Sequence, residues 1–252
     1  MSSRFSWRCV CVAVLFFISP GYGGEAQATE VLNILVYGAS GKVGTQVVIE
    51  ALERGHVVTA VSRDPSRIEQ KHDNLSAVAG DLLDSNSIAN LVIDQDVIIV
   101  SVRGIVAEPK IPENAIQLIG AKNVVGVLQD IGHDAPRLIH VGGAGTLEVE
   151  PGVLYADKLP KLFLSKSLES EIQGQVLALE FFRTVSDVSW SYATPARNFT
   201  NGKRTGTFRI GGDAMLEDSR GKSKISRRDF AVALIDEAEN ANYVRRRFSV
   251  VY

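Results

Sequence analysis

The sequence predicts an α/β protein built on a doubly wound parallel sheet, and three observations carry that prediction. Apolar strands and amphipathic helices alternate through the first two thirds of the chain, and two strands joined through a helix pair in parallel. The strands predicted at 96–102 and 137–141 are nearly unbroken apolar runs, as expected where helices cover both sheet faces. No linker or repeat interrupts residues 29–252, which indicates one domain with a small C-terminal substrate-side elaboration.

The first predicted strand, residues 31–37, runs into a glycine-rich turn that precedes a predicted helix over 42–54. In a dinucleotide-binding turn the first glycine allows a sharp bend, the second lets a pyrophosphate approach, and the third packs helix against strand. The amide groups that open the helix then face the phosphates. We therefore expect a Rossmann fold whose cofactor-binding turn consists of Gly38, Ala39, Ser40, Gly41, Lys42, Val43 and Gly44.

The spacing of this turn leaves one alternative open and excludes another. It reads G-x-x-G-x-x-G rather than the G-x-G-x-x-G of many dehydrogenases, so an ordinary glycine-rich βα loop stays the alternative. A Walker A loop is excluded, because Val43 follows Lys42 where Ser or Thr is needed to hold magnesium.

The end of the second predicted strand, residues 57–61, indicates which dinucleotide binds. An acidic residue there would bind the ribose 2′-hydroxyl of NAD, whereas this chain has Ser62 and Arg63, with Arg67 close behind. Together with Lys42, these arginines can pair with a 2′-phosphate through charge-assisted hydrogen bonds. We therefore expect NADP as the cofactor, with NAD as the alternative, and a solvated loop charge as the alternative role of Arg63.

Candidate site residues also follow the other strands, because ligands of such sheets bind beyond the carboxyl ends of the strands. After a strand at 75–79, Asp81 either approaches the adenine or caps a helix predicted over 85–92. The remaining candidates for cofactor binding are Leu82, Val102, Arg103, Gly142, Gly143, Thr194 and Pro195.

The rest of the chain continues the pattern of helices and strands. We predict a helix over 113–131 and a long substrate-side loop over 142–165. Periodicity then predicts a helix over 168–183, a strand at 188–193, a hairpin strand at 204–212, a helix over 229–239 and a last strand at 247–252.

The N-terminus is typical of a secretory signal peptide, which we place at residues 1–28. Arg4 and Arg8 precede a ten-residue apolar stretch, residues 9–18, and Ala26-Gln27-Ala28 follows a Pro-Gly break. A membrane-spanning helix needs about 20 apolar residues, so we expect no permanent membrane anchor. The protein is then exported or periplasmic if this leader is genuine, and cytoplasmic if translation starts near Val31.

Charge, cysteine and histidine content limit which kinds of partner the protein is expected to bind. Without the leader, the 27 basic and 29 acidic residues become 25 and 28, so nucleic acid is not an expected partner. Both cysteines, Cys9 and Cys11, lie in the leader, and the four histidines lack zinc-site spacing, so we expect no metal. The expected partner is a small-molecule substrate or a flavin, and the oligomeric state stays open.

The chain lacks the Tyr-x-x-x-Lys pair with which short-chain dehydrogenases shuttle a proton. Tyr155 is followed three residues later by Lys158, one short of that spacing, so an alcohol dehydrogenase or a sugar epimerase is disfavoured. No catalytic residue is assigned. The favoured chemistry is hydride transfer to a flavin or quinone, where the cofactors supply the reactivity.

Seven segments carry a resemblance to a known family: GASGKVG at 38–44, SRDPSRI at 62–68, GDLLD at 80–84, VGGAGTLEVEPG at 141–152, TPARNF at 194–199, RTGTFRIGGD at 204–213 and ISRRDFAVALIDEAE at 225–239. From about residue 32 onward, the chain resembles the atypical short-chain dehydrogenases known as NAD(P)H-binding, NmrA-like proteins. This group includes proteins described as NADH-flavin reductases and is related in fold to biliverdin reductase B. The resemblance implies an NAD(P)-binding Rossmann domain that is usually cytosolic.

A cofactor-binding turn without acid–base machinery leads to the favoured hypothesis, a reductase that passes hydride from NADPH to a flavin, a quinone or a similar acceptor. The alternative is a non-catalytic NADP-sensing regulator of the NmrA-like type.

Overall fold

The structure is a computed structural model that describes residues 30–252 except 161 and 163. The predicted leader, residues 1–28, lies outside the described residues. The strands are β1 (Asn33–Tyr37), β2 (Val57–Ser62), β3 (Leu75–Ala79), β4 (Val97–Val100), β5 (Arg137–Val141), β6 (Glu148–Glu150), β7 (Val153–Leu154), β8 (Trp190–Pro195), β9 (Asn198–Thr200), β10 (Arg209–Gly211), β11 (Lys224–Ser226) and β12 (Arg246–Val251). The helices are α1 (Gly44–Glu53), α2 (Ser85–Leu91), α3 (Ile116–Ile131), α4 (Tyr155–Lys158), α5 (Lys166–Thr184) and α6 (Arg227–Asn240).

Eight strands form the central sheet in the order β3-β2-β1-β4-β5-β8-β12-β10. Every neighbouring pair is parallel except β10 and β12, which are antiparallel. The strand order reverses between β1 and β4, so the connections after these two strands run to opposite sides of the sheet and leave a crevice between them. The predicted doubly wound Rossmann fold in a single domain is confirmed.

Helices cover both faces of the sheet and divide its core into two halves. Ile34 and Val36 of β1 pack in one buried cluster with residues of α1 and α6, whereas Leu35 and Tyr37 pack in the other with residues of α2, α3 and α5. Successive side chains of a strand point to opposite faces, which is why one apolar run supplies both clusters. No helix of the described residues is long and apolar enough to cross a membrane.

Three segments differ from the sequence-based prediction. Helix α3 begins at Ile116, after a separate 3-10 turn at Pro112–Asn114. The predicted hairpin strand at 204–212 is extended in the sheet only at 209–211. Residues 142–165 do not form a long loop, since they contain β6, β7 and α4.

Backbone pairing explains why residues 142–165 are ordered as short elements. Strands β6 and β7 pair with each other in an antiparallel manner. The amide of Glu148 donates to the carbonyl of Asp213 at 2.9 Å, and the carbonyl of Glu148 accepts from the amide of Met215 at 2.7 Å. Backbone N–H and C=O groups that pack against the domain need hydrogen-bond partners. For Glu148 these partners come from residues 213–215, which are distant in sequence.

A buried carboxylate, Asp229, fixes the C-terminal elaboration to helix α6. One oxygen accepts the amides of Thr205 and Gly206 at 2.7 and 2.8 Å, and the other accepts hydroxyls of Thr205, Ser226 and Tyr252 at 2.9, 3.2 and 2.6 Å. Burial acts to raise the pKa of Asp229, but hydrogen bonds from Tyr252, Gly206 and Thr205 together outweigh it and hold the pKa below its usual value.

Asp229→Asn should lower the free energy of unfolding at pH 7 by about 1–3 kcal/mol, because an amide cannot accept all of these hydrogen bonds. A lowered carboxyl pKa stabilises the fold above the unfolded value of about 3.9, and this contribution disappears as the pH falls through the folded pKa. Urea unfolding should therefore show a constant difference between the two proteins from pH 7 down to about pH 4, and a difference that shrinks as the pH falls further. Asp73→Asn, an exposed control, should change little, and equal stability of Asp229→Asn and wild type at pH 7 would contradict this role.

Candidate functional site

The glycine turn after β1 is built from backbone contacts that exclude side chains. Gly38 has a φ of +77°, and a Cβ atom there would lie 2.1 Å from the carbonyl oxygen of Ser101 after β4. A Cβ atom at Gly44 would lie 2.2 Å from the carbonyl oxygen of Gly38. At Gly41 the nearest atom is the Gly38 oxygen at 3.1 Å. Glycine is therefore required by the fold at 38 and 44, whereas Gly41 leaves open space beside the turn.

Hydrogen bonds hold this turn against the end of β2. The amides of Gly38 and Ala39 donate to the carbonyl of Val61 at 3.1 and 3.2 Å, and the hydroxyls of Ser40 and Ser62 lie 3.1 Å apart. Helix α1 begins at Gly44, and the amides of Thr45 and Val47 in its first turn already donate to the carbonyls of Gly41 and Val43 at 2.9 and 3.0 Å. The positive end of the helix dipole lies at the turn and favours an anion there.

A first cavity of about 460 Å³ opens at the carboxyl ends of β1, β2, β3 and β4. It brings together ten of the predicted cofactor-binding residues from four separate segments. These are Gly38, Ser40, Gly41, Ser62, Arg63, Arg67, Asp81, Leu82, Val102 and Arg103.

The rim of the first cavity carries two arginines that lack an acidic partner. Arg63 and Arg67 are exposed, and neither forms an ion pair with any of the described residues. Asp64 lies between them in sequence, but its carboxylate accepts the amide and hydroxyl of Ser66. Both guanidinium groups are therefore available to a ligand with negative charge.

Asp81 lines the first cavity and does not cap the helix that follows. Its carboxylate accepts the amide of Leu83 at 2.9 Å, whereas Asp84 caps α2 by accepting the amide of Asn86. Tyr37 lines the same cavity; its buried hydroxyl has no hydrogen-bond partner among the described residues, and burial raises its pKa. Of the two roles considered for Asp81, the structure excludes the helix cap.

A second cavity of about 390 Å³ continues from the first. The two share Gly41, Ser101, Val102 and Arg103. From the predicted residues it adds Lys42 and Val43. Five further lining residues were not predicted, and they come from β5, α5, β9 and α6: Val141, Glu171, Gln175, Phe199 and Arg227.

A buried carboxylate anchors the arginine that lies between the two cavities. Glu171 is 8% exposed, and its two oxygens lie 3.0 and 3.2 Å from Nε and Nη2 of Arg103. The side-chain amide of Gln117, also buried, donates to the same carboxylate at 3.5 Å. A two-point contact of this kind fixes the plane of a guanidinium, so Arg103 is oriented although its side chain is 72% exposed.

Six predicted cofactor-binding residues line neither cavity. Ala39 and Thr194 are completely buried, and Pro195 pairs with Val250 of β12. Of the glycines, Gly44 packs on Gly38 as described, and Gly142 and Gly143 make room for the side chains of Tyr192 and Gln175. Packing, rather than cavity lining, therefore explains Ala39, Gly44, Gly142, Gly143, Thr194 and Pro195.

Tyr155, Lys158 and His140 line neither of the two cavities. Tyr155 contacts Arg197, and Lys158 pairs with Glu150 at 3.3 Å, so neither approaches a cavity. His140 is completely buried, and burial lowers its pKa to about 3, so it is neutral near pH 7. Among the described residues, no three His, Cys, Asp or Glu side chains gather as a metal site would require.

A family model described as NAD(P)H-binding matches residues 38–241, which span both cavities. The chain belongs to this NAD(P)H-binding family. The prediction from the sequence motifs, an atypical short-chain dehydrogenase of the NmrA-like type, is thereby confirmed.

Three similar proteins align with this chain over nearly their whole length. The uncharacterized protein YwnB of Bacillus subtilis is 29% identical over 231 residues, covering 87% of this chain and 98% of YwnB. A structure from Burkholderia pseudomallei, provisionally named an exported protein, is 33% identical with a TM-score of 0.74, covering 88% of this chain and 100% of that one. A Bacteroides thetaiotaomicron structure, provisionally named an epimerase, is 29% identical with a TM-score of 0.77, covering 88% and 98%.

A more distant structure shares the fold and was solved with a cofactor. It is a short-chain dehydrogenase/reductase from Veillonella parvula in complex with NADP, 17% identical with a TM-score of 0.65, covering 88% of this chain and 95% of that one.

Gly41→Val should abolish binding of both NADPH and NADH while the protein stays folded. The new Cβ atom would lie 3.1 Å from one backbone oxygen, a tight contact but not a clash, and the side chain fills the space at the turn. Gly44→Val should instead lower the melting temperature, because its Cβ atom would clash with three backbone atoms within 3 Å. Cofactor fluorescence titration and thermal unfolding of both variants measure the two effects. Unchanged NADPH binding by Gly41→Val would remove the turn from the cofactor site.

Proposed function

We propose that the protein is an NADPH-dependent reductase that passes hydride to a flavin, a quinone or a similar planar acceptor. The observation that carries this proposal is a pair of arginines, Arg63 and Arg67, that have no acidic partner among the described residues and lie on the rim of a cavity that begins at the glycine turn. Membership of an NAD(P)H-binding family supports a nicotinamide cofactor, and the fold neighbour from Veillonella parvula, solved with NADP, supports the phosphorylated form.

The described residues suit the parts of this cofactor. Gly41 leaves room for a pyrophosphate, which the positive end of α1 would stabilise, and Arg63 and Arg67 would bind the 2′-phosphate. Two connected cavities provide separate space for the adenosine half and for the reacting half with its acceptor. The cofactor, when bound, supplies the hydride.

The protein's contribution to the reaction is orientation. The lining of neither cavity contains a tyrosine–lysine pair, and the carboxylate of Glu171 already accepts hydrogen bonds from Arg103 and Gln117. Reduction of a quinone or flavin needs no proton-shuttling pair, because the reduced product takes its proton from solvent. Holding donor and acceptor about 3–3.5 Å apart is sufficient for such a step.

Purified protein should oxidise NADPH when FMN or a quinone is added, and Arg63→Ala combined with Arg67→Ala should weaken NADPH at least about tenfold while leaving NADH nearly unchanged. The reason is the loss of charge-assisted bonds to a phosphate that NADH lacks. Absorbance at the nicotinamide band measures turnover, and fluorescence titration measures binding.

Three results separate the alternatives. Equal loss of NADPH and NADH, or no loss of either, would refute the preference for NADP. No turnover with a broad panel of acceptors would refute the reductase. Tight binding without turnover, with oxidised and reduced cofactor distinguished, would support a non-catalytic NADP sensor instead.

We also propose that the protein is exported, with residues 1–28 removed as a signal peptide. The basic and apolar pattern of the leader supports this proposal, as does the provisional name of the Burkholderia pseudomallei relative. N-terminal sequencing of the native protein should find Thr29 or a neighbouring residue at the terminus. An intact Met1 would contradict cleavage.

A further inference from the structure

The second cavity carries more positive than negative charge in its lining. The lining contains three cationic side chains, Lys42, Arg103 and Arg227, and one carboxyl group, that of Glu171. Arg103 is bound to that carboxylate, and Lys42 adjoins Gly41 in the glycine turn, where the cofactor phosphates are expected. Arg227 is the cation left for a ligand other than the cofactor.

Arg227 is held in place by neutral groups. One guanidinium nitrogen donates to the side-chain oxygen of Asn201, and the guanidinium lies over the ring of Phe199 at 5.2 Å from its centroid. No carboxylate among the described residues forms an ion pair with it. Asn201 and Phe199 therefore fix the position of Arg227 without neutralising its charge.

The position of Arg227 in helix α6 adds to this argument. Ser226 caps the helix by accepting the amide of Asp229, and Arg227 is the first helical residue. A cation near the positive end of a helix is unfavourable, and an anion bound beside it offsets that cost. The adjoining residue, Arg228, lies on the exposed surface with its Nε 3.3 Å from the side-chain oxygen of Gln46 and lines neither cavity.

We propose that the second cavity binds a planar aromatic acceptor that carries an anionic group, and that Arg227 selects for the anion. Phe199, with the Arg227 guanidinium over one face of its ring, lines the cavity as an apolar contact for the acceptor, and Arg227 supplies charge-assisted hydrogen bonds to a phosphate, sulfonate or carboxylate on it. This inference rests on the proposed function, because it names the class of acceptor for the same site.

A matched pair of quinones tests the proposal. The anionic probe is 1,4-naphthoquinone-2-sulfonate, and the neutral probe is 2-methyl-1,4-naphthoquinone. Binding of each to the complex with NADP⁺ is measured by calorimetry, for wild type, Arg227→Gln, Arg227→Lys and the control Arg228→Gln. The control removes the same charge from the next position of the same helix.

Arg227→Gln should weaken the sulfonate at least about tenfold and leave the neutral quinone unchanged, because one charge-assisted contact is lost. Arg227→Lys should recover part of the affinity, and Arg228→Gln should leave both probes unchanged. Equal effects of Arg227→Gln on the two quinones, equal effects of Arg227→Gln and Arg228→Gln, or failure of wild type to bind the sulfonate would each overturn the inference.

Binding and turnover together separate the two proposals. If the sulfonate binds through Arg227 but NADPH is not oxidised, the proposed anionic aromatic ligand of the second cavity stands and the reductase proposal fails. If NADPH is oxidised equally well with both quinones and Arg227→Gln changes neither rate, the reductase stands and the acceptor class fails.

Discussion

The close approach of Gly38 to Ser101 is the constraint on which the functional edge of the sheet depends. A Cβ atom at Gly38 would lie 2.1 Å from the Ser101 carbonyl oxygen. The segments that follow β1 and β4 can therefore approach this closely only because residue 38 has no side chain. This contact lies where the strand order reverses, and both cavities include residues of the two segments that diverge from it. The glycine turn, the adjoining arginines and the second cavity all take their positions from this point.

Charge is distributed differently in the framework and in the cavities. Away from the cavities, a buried acid joins two arginines of the framework: Glu50, 3% exposed, pairs with Arg54 and with Arg204, which ties α1 to the segment before β10. In the cavities, Arg63 and Arg67 have no acidic partner within the described chain. An arginine bound to a buried carboxylate holds the framework together, whereas an unpaired one beside a cavity is free to bind an anionic ligand. Arg103 combines both features, because Glu171 fixes its orientation at the junction of the cavities.

Most of the fold was predictable because the signals are local. The apolar runs of β1 and β4 and the periodicity of α5 and α6 are written in consecutive residues. The prediction was wrong at 142–165, where short strands and a helix replace the expected loop. Their order depends on backbone hydrogen bonds between Glu148 and residues 213 and 215, and no local pattern contains a partner 65 residues away.

The candidate site likewise contains some residues that the local sequence predicts and others that only the folded structure brings together. The sequence by itself determined the parallel sheet, the glycine turn at 38–44 and the arginines after β2, because glycine spacing and residue type within one short segment state these requirements directly. Only the tertiary structure decided that Glu171, Phe199 and Arg227 face one cavity with Gly41, and that Gly142 and Gly143 pack against side chains instead. The reason is physical. A cavity wall is formed by whichever side chains the packed helices and strands bring to the same edge of the sheet, and three elements separated by dozens of residues meet there only after the chain has folded.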